Sequence, residues 1–401
     1  NDDFRALKDG SLIWSSERSG FKHLYRFTDG RWTQLTHGDW TLETNAQSHP
    51  AGLIGVDEAH HRLFFSANKD DVLESQIYAI DYLHPGEPQR LTERGFWNEG
   101  EMDKAGTRLL VQRSSPSQPP QVYLADTNGK RITWIEQNPL DASHPYAPFL
   151  ATHRPVTYGT IQTADGATLH YEMITPPLEP GRRYPVFFEH YGGPHAQQVK
   201  RAWKGALSQY WVSKGWIYVQ VDNRGSANRG KAFEDPLYHA MGSTEVADQA
   251  AFARWLQAQP FVDPRKIATF GWSYGGYMTL KMLETNPGLY AAGVAGAPVT
   301  RWELYDTFYT ERYLGQPPYT ASDTIADAVK IADPLLMIHG MADDNVVFEN
   351  STAMYAALQQ QGRLFEMGVY PGQTHGFTTA NKRHVYKTIE DFLNRRVRSG
   401  K

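Results

Sequence analysis

The sequence predicts an α/β chain in two parts, an antiparallel β domain over residues 1–153 and a mostly parallel α/β domain over 154–401. Three observations predict it. The first part reads as short aromatic and β-branched runs between turn clusters, with no helical period. From Pro155 onward, apolar runs alternate with stretches of helical spacing, the pattern of βαβ units around a parallel sheet. Aromatic residues make up 13% of the chain and Gly occupies 34 positions, a bias toward β-rich architecture in at least one part.

In the first part the clearest strands start at Leu12, Lys22, Arg31, Arg62, Gln76 and Arg108. Stacking them exposes a repeat. The pairs Leu24-Tyr25, Ile77-Tyr78 and Val122-Tyr123 each precede a turn and then a run ending in Gln34-Leu35-Thr36, Arg90-Leu91-Thr92 and Arg131-Ile132-Thr133. The pairs lie 53 and 45 residues apart, the length of a four-stranded propeller blade. About three blades fit here, whereas closed propellers carry about four to eight. Either the β-propeller is incomplete, or the segment is an antiparallel sandwich with a chance repeat.

In the second part, strands are expected at 184–190 and 216–221, followed by a helix over 245–259 through Val246, Ala250, Ala253 and Leu256. A strand over 266–270 leads into Gly271-Trp272-Ser273-Tyr274-Gly275, and a helix follows over 274–284. Strands at 291–297, 335–339 and 365–370 come next. An amphipathic helix over 382–397, apolar at Val385, Ile389, Phe392 and Leu393, closes the chain. Six strands with interleaved helices make one α/β sheet.

Composition narrows the function. Lys+Arg 40 against Asp+Glu 44 gives a net charge of −4, which argues against a polyanion-binding surface, so no nucleic acid partner is expected. Cys is 0, which excludes disulfides, thiolate metal sites and cysteine nucleophiles. No apolar run of about 18 residues is present to span a bilayer. The start, NDDFRALKDG, has neither the basic nor the apolar region of a signal peptide.

The chemistry centres on Gly271-Trp272-Ser273-Tyr274-Gly275. The G-x-S-x-G string alone is weak, but here it follows an apolar strand and opens a helix, the context of a nucleophile elbow in an α/β-hydrolase. A serine at its free pKa needs a base and an orienting carboxylate, and in this fold they follow in the order Ser, Asp, His. The strand at 335–339 runs into Asp343-Asp344-Asn345, and the strand at 365–370 runs into His375-Gly376. Both loops lie past the carboxyl ends of strands, where open α/β sheets carry their sites. Either Asp343 or Asp344 can face the histidine. Asp333 sits at the wrong end of its strand, His339 reads as structural and His384 as a solvated helix residue. A second oxyanion donor is expected from the loop Glu189-His190-Tyr191-Gly192-Gly193-Pro194, by backbone approach or through the Tyr191 hydroxyl.

Two decoys are set aside. Gly225 to Lys231 has phosphate-loop spacing, but Ala232 replaces the magnesium-binding Ser or Thr. No HExxH string occurs, and His60-His61 reads as a strand-edge pair, so neither cofactor nor metal is expected.

The run Gly271 to Met278, the segment Pro298 to Tyr313 and the segment His339 to Val346 resemble the dipeptidyl peptidase IV branch of the prolyl oligopeptidase family of serine peptidases. The resemblance covers 154–401 strongly and 1–153 weakly. It implies an α/β-hydrolase capped by a full propeller, and release of X-Pro or X-Ala dipeptides from peptide N-termini. It implies Ser273 as nucleophile, His375 as general base, and Asp343 rather than Asp344 as its partner. The oxyanion hole would be the Tyr191 hydroxyl and the Tyr274 backbone N–H. Tyr274, Val299, Trp302, Tyr305, Tyr309 and Val346 would line a proline pocket, and Asn345 would hold the carbonyl between the two substrate residues. The family uses consecutive glutamates on the propeller to bind the substrate amine, and this chain contains no Glu-Glu.

The expected partners are therefore a peptide substrate, an N-terminal propeller fragment of the same enzyme, and a second copy in a homodimer. Resemblance to bacterial relatives implies a periplasmic or secreted location. Two other readings stay open: an acylaminoacyl peptidase, oligopeptidase or esterase of the same fold, and a non-catalytic interaction module.

Overall fold

The computed structural model describes residues 4–43 and 52–398, so the outer ends of the expected domains, 1–3 and 399–401, lie outside the described residues. The chain divides into two compact units. One comprises 1–155 with 195–207 and 226–235; the other comprises 156–194, 208–225 and 236–401.

The first unit is built of three four-stranded antiparallel sheets. The first holds β1 (Phe4–Ala6), β2 (Leu12–Ser16), β3 (His23–Thr28) and β4 (Arg31–Gln34). The second holds β5 (Leu53–Asp57), β6 (Arg62–Ala67), β7 (Gln76–Asp81) and β8 (Gln89–Arg90). The third holds β9 (Trp97–Met102), β10 (Arg108–Ser115), β11 (Gln118–Asp126) and β12 (Arg131–Glu136). Each sheet pairs its strands in chain order, as propeller blades do. The repeat has a physical basis in the first two sheets. The Leu24 N–H donates to Thr36 Oγ1 at 3.0 Å, and the Ile77 N–H donates to Thr92 Oγ1 at 2.9 Å. The threonine hydroxyl thus satisfies a buried amide where the fourth strand leaves its ladder.

The third sheet departs from the expected alignment. Tyr25 pairs with Gln34 and Tyr78 with Arg90, but Tyr123 pairs with Trp134, three residues beyond Arg131. Register shifts at Val122/Tyr123 and Leu124/Ala125 leave Ile132 and Ile135 unpaired. Ile132, the expected counterpart of buried Leu35 and Leu91, is consequently 51% exposed.

Strand alternation joins the sheets. Phe65 packs in a cluster with Ile13, Leu24, Leu42 and Tyr78, whereas its neighbour Phe64 packs with Ile77, Leu109, Val111 and Tyr123. Two segments distant in sequence complete this unit, although a linear boundary at 153/154 assigns them to the second domain. The Arg201 N–H donates to Leu73 O at 2.8 Å, Trp203 stacks on His153 with centroids 5.3 Å apart, and the Lys231 N–H donates to Gly20 O at 2.8 Å. The phosphate-loop decoy is therefore tied down as a packing segment, and the helix after it, Lys231–Glu234, is a single turn.

The second unit is organised on an eight-stranded sheet. Its strands are β13 (Thr157–Gln162), β14 (Thr168–Ile174), β15 (Tyr184–His190), β16 (Ile217–Val221), β17 (Val262–Trp272), β18 (Ala292–Gly296), β19 (Leu335–Gly340) and β20 (Glu366–Tyr370). The order is β13-β14-β16-β15-β17-β18-β19-β20. β13 pairs antiparallel with β14, and β14 with β16; the remaining pairs are parallel. The sheet thus has two strands more than the six expected. β13 is largely exposed at the sheet edge, so it lacks the apolar run that marks the central strands.

The helices are α1 (Gly205–Ser213), α2 (Lys231–Glu234), α3 (Thr244–Gln257), α4 (Tyr274–Thr285), α5 (Thr307–Leu314), α6 (Glu349–Gln360) and α7 (Thr379–Leu393). α3, α4 and α7 match expected helices, and α1, α5 and α6 are additional to them. α5 starts on an Asp306 side chain that accepts the Tyr309 N–H at 2.8 Å. Among the described residues no helix is long and apolar enough to cross a membrane.

Candidate active site

The site candidates of the second unit lie past the carboxyl ends of β15, β17, β18, β19 and β20. Ser273 joins β17 to α4 with φ 62° and ψ −119°, a conformation that costs on the order of 1–3 kcal/mol for a residue with a side chain. Tight backbone contacts hold it there. A Cβ on Gly271 would lie 2.3 Å from Gly275 O, and one on Gly275 would lie 2.6 Å from His190 O. Only glycine fits either position, which gives the G-x-S-x-G spacing its physical meaning. The Ser273 N–H donates to Gly296 O at 2.8 Å, anchoring the elbow to β18. Tyr274 is the first helical residue, so its N–H has no acceptor within α4 and lies at the positive end of the helix dipole.

Asp343 and His375 meet although 32 residues separate them. His375 Nδ1 lies 2.7 Å from Asp343 Oδ2. The other carboxylate oxygen accepts the N–H groups of Asn345 at 3.0 Å and Val346 at 2.9 Å. Burial alone would raise the Asp343 pKa, but the hydrogen bonds from His339 and His375, the His375 charge and the Asn345 N–H outweigh it. Its carboxyl is held well below the usual range. Asp344, the alternative partner, is exposed. Trp272 Nε1 donates to His375 O at 3.3 Å, with ring centroids 6.4 Å apart, so the histidine loop rests on the residue that precedes Ser273. Among the described residues the Ser273 hydroxyl itself has no hydrogen-bond partner.

The expected pocket residues form a connected aromatic wall. Trp302 stacks on Tyr309 at 6.0 Å, meets Tyr305 edge-on at 5.9 Å and lies 5.8 Å from Tyr274. Tyr274 in turn lies 5.9 Å from Tyr191. Tyr305 Oη donates to Asn345 Oδ1 at 3.0 Å, which brings Asn345 to the same wall. Val299 and Val346 are buried. Neighbouring polar groups fix the wall: the Trp302 N–H donates to Asp323 Oδ1 at 2.8 Å, and the Thr300 N–H donates to Asn350 Oδ1 at 2.9 Å.

Sequence reasoning missed Glu245. It is fully buried and accepts the Tyr274 hydroxyl at 2.8 Å together with the N–H groups of Gly242 and Ser243. Burial raises its pKa, and these hydrogen bonds oppose the rise. The available signal is a carboxylate in register with Gln249, Phe252 and Leu256 on the buried face of α3. The set-aside residues are otherwise engaged. Asp333 accepts the Gly288 N–H, His384 Nδ1 lies 3.0 Å from Tyr370 Oη, and His60 Nδ1 lies 2.7 Å from Asp57 Oδ2. His190 is buried against Thr269 Oγ1 at 2.7 Å, and burial pushes its pKa down to about 3.

Comparison with known proteins agrees with both units. Residues 203–400 match the prolyl oligopeptidase family, and residues 1–120 match the dipeptidyl peptidase IV N-terminal region. The chain is 30% identical to mouse dipeptidyl peptidase 8 over 94% of its own length and 46% of that protein's. It is 31% identical to a probable dipeptidyl peptidase 4 of Aspergillus fumigatus, covering 88% of this chain and 47% of the relative. Among solved structures, dipeptidyl peptidase 4 of Porphyromonas gingivalis superposes with a TM-score of 0.90 at 29% identity, over 98% of this chain and 55% of that one. The chain thus spans about half the length of the curated relatives it matches. Propeller-like sheets followed by an α/β-hydrolase sheet, with matches to both corresponding regions, place the chain in the dipeptidyl peptidase IV/prolyl oligopeptidase family of serine peptidases.

Proposed function

We propose that the chain carries the hydrolytic centre of a dipeptidyl peptidase that cleaves after Pro or Ala in the second position of a peptide. The observation that carries this reading is the Asp343–His375 hydrogen bond on a loop that rests against Trp272, beside the Ser273 elbow. With Nδ1–H given to Asp343, His375 presents an unprotonated Nε2, the form a general base needs. Nε2 takes the Ser273 proton as Oγ bonds to the scissile carbonyl carbon. The oxyanion accepts hydrogen bonds from the Tyr274 N–H and the Tyr191 hydroxyl. As the tetrahedral intermediate collapses, His375 gives that proton to the leaving amine. Water then repeats the sequence on the acyl-enzyme, releasing the acyl product and restoring Ser273.

The aromatic wall supports the specificity. A proline ring has apolar faces and no N–H to satisfy, and burying its roughly three methylenes contributes about 2 kcal/mol. Asn345, held by Tyr305, suits the carbonyl that precedes the proline. The chain has no Glu-Glu pair, so restriction to dipeptide release is assigned to no residue of this chain.

Labelling by an alkyl fluorophosphonate tests the centre. The chain is expected to label at Ser273 and Ser273→Ala is expected to lose the label; equal labelling of both would overturn the reading. Preference for a Gly-Pro phosphonate over one with a bulky unbranched second residue tests the pocket.

A further inference from the structure

We infer that His339 is a positioning residue for the hydrolytic centre, a second histidine that holds Asp343 and links it to the Val346 side of the pocket. The inference rests on the serine hydrolase reading above. His339 is the penultimate residue of β19 and is completely buried, and its Nε2 lies 3.1 Å from Asp343 Oδ2 and 2.9 Å from Val346 O. Both neighbours of Nε2 act as acceptors. Nε2 therefore carries a proton, shared between the carboxylate and the carbonyl. Nδ1 lies 2.7 Å from Ser351 Oγ in α6, and a hydroxyl can donate to an unprotonated Nδ1. The geometry thus assigns one tautomer to the ring, with Ser351 fixing it from behind.

The consequence falls on Asp343. Its Oδ1 accepts two backbone N–H groups, while its Oδ2 accepts His375 Nδ1 on one side and His339 Nε2 on the other. Four donors saturate the carboxylate, so it has a single orientation from which to face His375. The same four donors share its charge, which limits how strongly Asp343 favours a protonated His375. Because the Val346 N–H donates to Asp343 and the Val346 carbonyl accepts from His339, the floor of the pocket and the base share one small network. The other titratable groups facing this network are Tyr305, with Asp306 beside it, and Tyr355, which faces Ser351.

Removing the His339 donor therefore does two things: it frees Asp343 to swing, and it concentrates its charge on His375. The test is the second-order rate of fluorophosphonate labelling against pH, measured on the full chain as wild type, His339→Leu, His339→Gln and Ser351→Ala. His339→Leu is expected to label about 10-fold more slowly on the plateau, and its acidic limb is expected to move to higher pH by about half a unit or more. His339→Gln keeps an N–H donor and is expected to recover most of the rate and the wild-type limb. Ser351→Ala leaves the ring in place but releases its tautomer, with a smaller shift in the same direction. If Leu and Gln lose rate equally with the wild-type pH profile, or if Ser351→Ala and a folded His339→Leu match wild type, the inference is overturned. Should His339→Leu fail to fold, as judged by its melting transition, the other two variants decide: a His339→Gln that loses the full 10-fold with the wild-type pH profile, or a Ser351→Ala with the wild-type rate and limb, overturns the inference. Labelling of Ser273→Ala at the wild-type rate would instead overturn the underlying hydrolase reading.

Discussion

Tyr305 Oη donates to Asn345 Oδ1 at 3.0 Å, and this contact decides which face of the Asn345 amide is presented. With its carbonyl oxygen engaged, the amide turns its NH₂ group away from Tyr305, where in the proposed function it serves as a donor for a substrate carbonyl. Tyr305→Phe removes that constraint while keeping the ring that meets Trp302. One lost neutral hydrogen bond is worth about 1 kcal/mol. Labelling by a Gly-Pro phosphonate is expected to slow about 5-fold, with labelling by an alkyl fluorophosphonate unchanged. Equal slowing by both reagents would show that Tyr305 acts on the nucleophile and not on substrate orientation.

Tyr191 and Tyr274 supply the two oxyanion donors in the proposed mechanism, one from a hydroxyl and one from the backbone. Tyr191→Phe deletes the first without altering the ring packed near Tyr274. A missing donor of this kind costs about 10²-fold in the acylation step. The expected outcome is that loss in maximal labelling rate, with the concentration dependence of the reagent little changed. A change confined to apparent affinity would remove Tyr191 from the oxyanion hole.

The strand-to-loop positions of Ser273, Asp343 and His375 are legible in sequence because an apolar run ending in a glycine-bearing polar loop is a local pattern. Gly271 and Gly275 are legible for the same reason: the elbow cannot form around a Cβ. What stays hidden is long-range. Glu245 matters because α3 packs against α4, and His339 because α6 brings Ser351 behind it. Neither relation has a signature in the residues around it. The third blade misleads for a different reason. Arg131-Ile132-Thr133 copies the string of the earlier blades, but two bulges in the β11–β12 pairing move the partner of Tyr123 to Trp134. A repeat read by composition does not count residues that bulge out of the ladder. β13 is missed because an edge strand with one wet face shows no continuous apolar run.

Thr92 has a structural duty that a volume-matched residue cannot perform. Its Oγ1 accepts the Ile77 N–H at 2.9 Å and donates to Gln76 Oε1 at 2.7 Å, both buried. Thr92→Val keeps the shape and leaves a buried amide unsatisfied, at a cost of about 1–3 kcal/mol. Thr36→Val is expected to cost a similar amount, because Thr36 Oγ1 accepts the Leu24 N–H in the first blade. The two sites share no partner, so their effects should add in urea unfolding followed by tryptophan fluorescence. A strongly non-additive double variant would mean that the blades do not carry these bonds independently.

Glu284 sets a pH dependence that runs opposite to that of a paired surface acid. It is buried in α4, and among the described residues its one close polar neighbour is Lys281 Nζ, an ion-pair contact at 3.5 Å. Burial raises its pKa to about 8, against the attraction of Lys281 and reinforced by Asp327. In the unfolded chain the same group ionises near 4.5. Between those values the unfolded state has lost a proton that the folded state keeps, so unfolding releases a proton and stability falls as pH rises. Below about 4.5 and above about 8 the contribution is level. Glu284→Gln mimics the protonated form and removes the ionisation. The difference in unfolding free energy between wild type and Glu284→Gln is therefore expected to move against wild type by a few kcal/mol from pH 5 to pH 8. Urea unfolding at each pH measures it directly. Parallel stability curves for the two proteins would show that Glu284 is ionised in the folded state throughout this range, with Lys281 as a full partner.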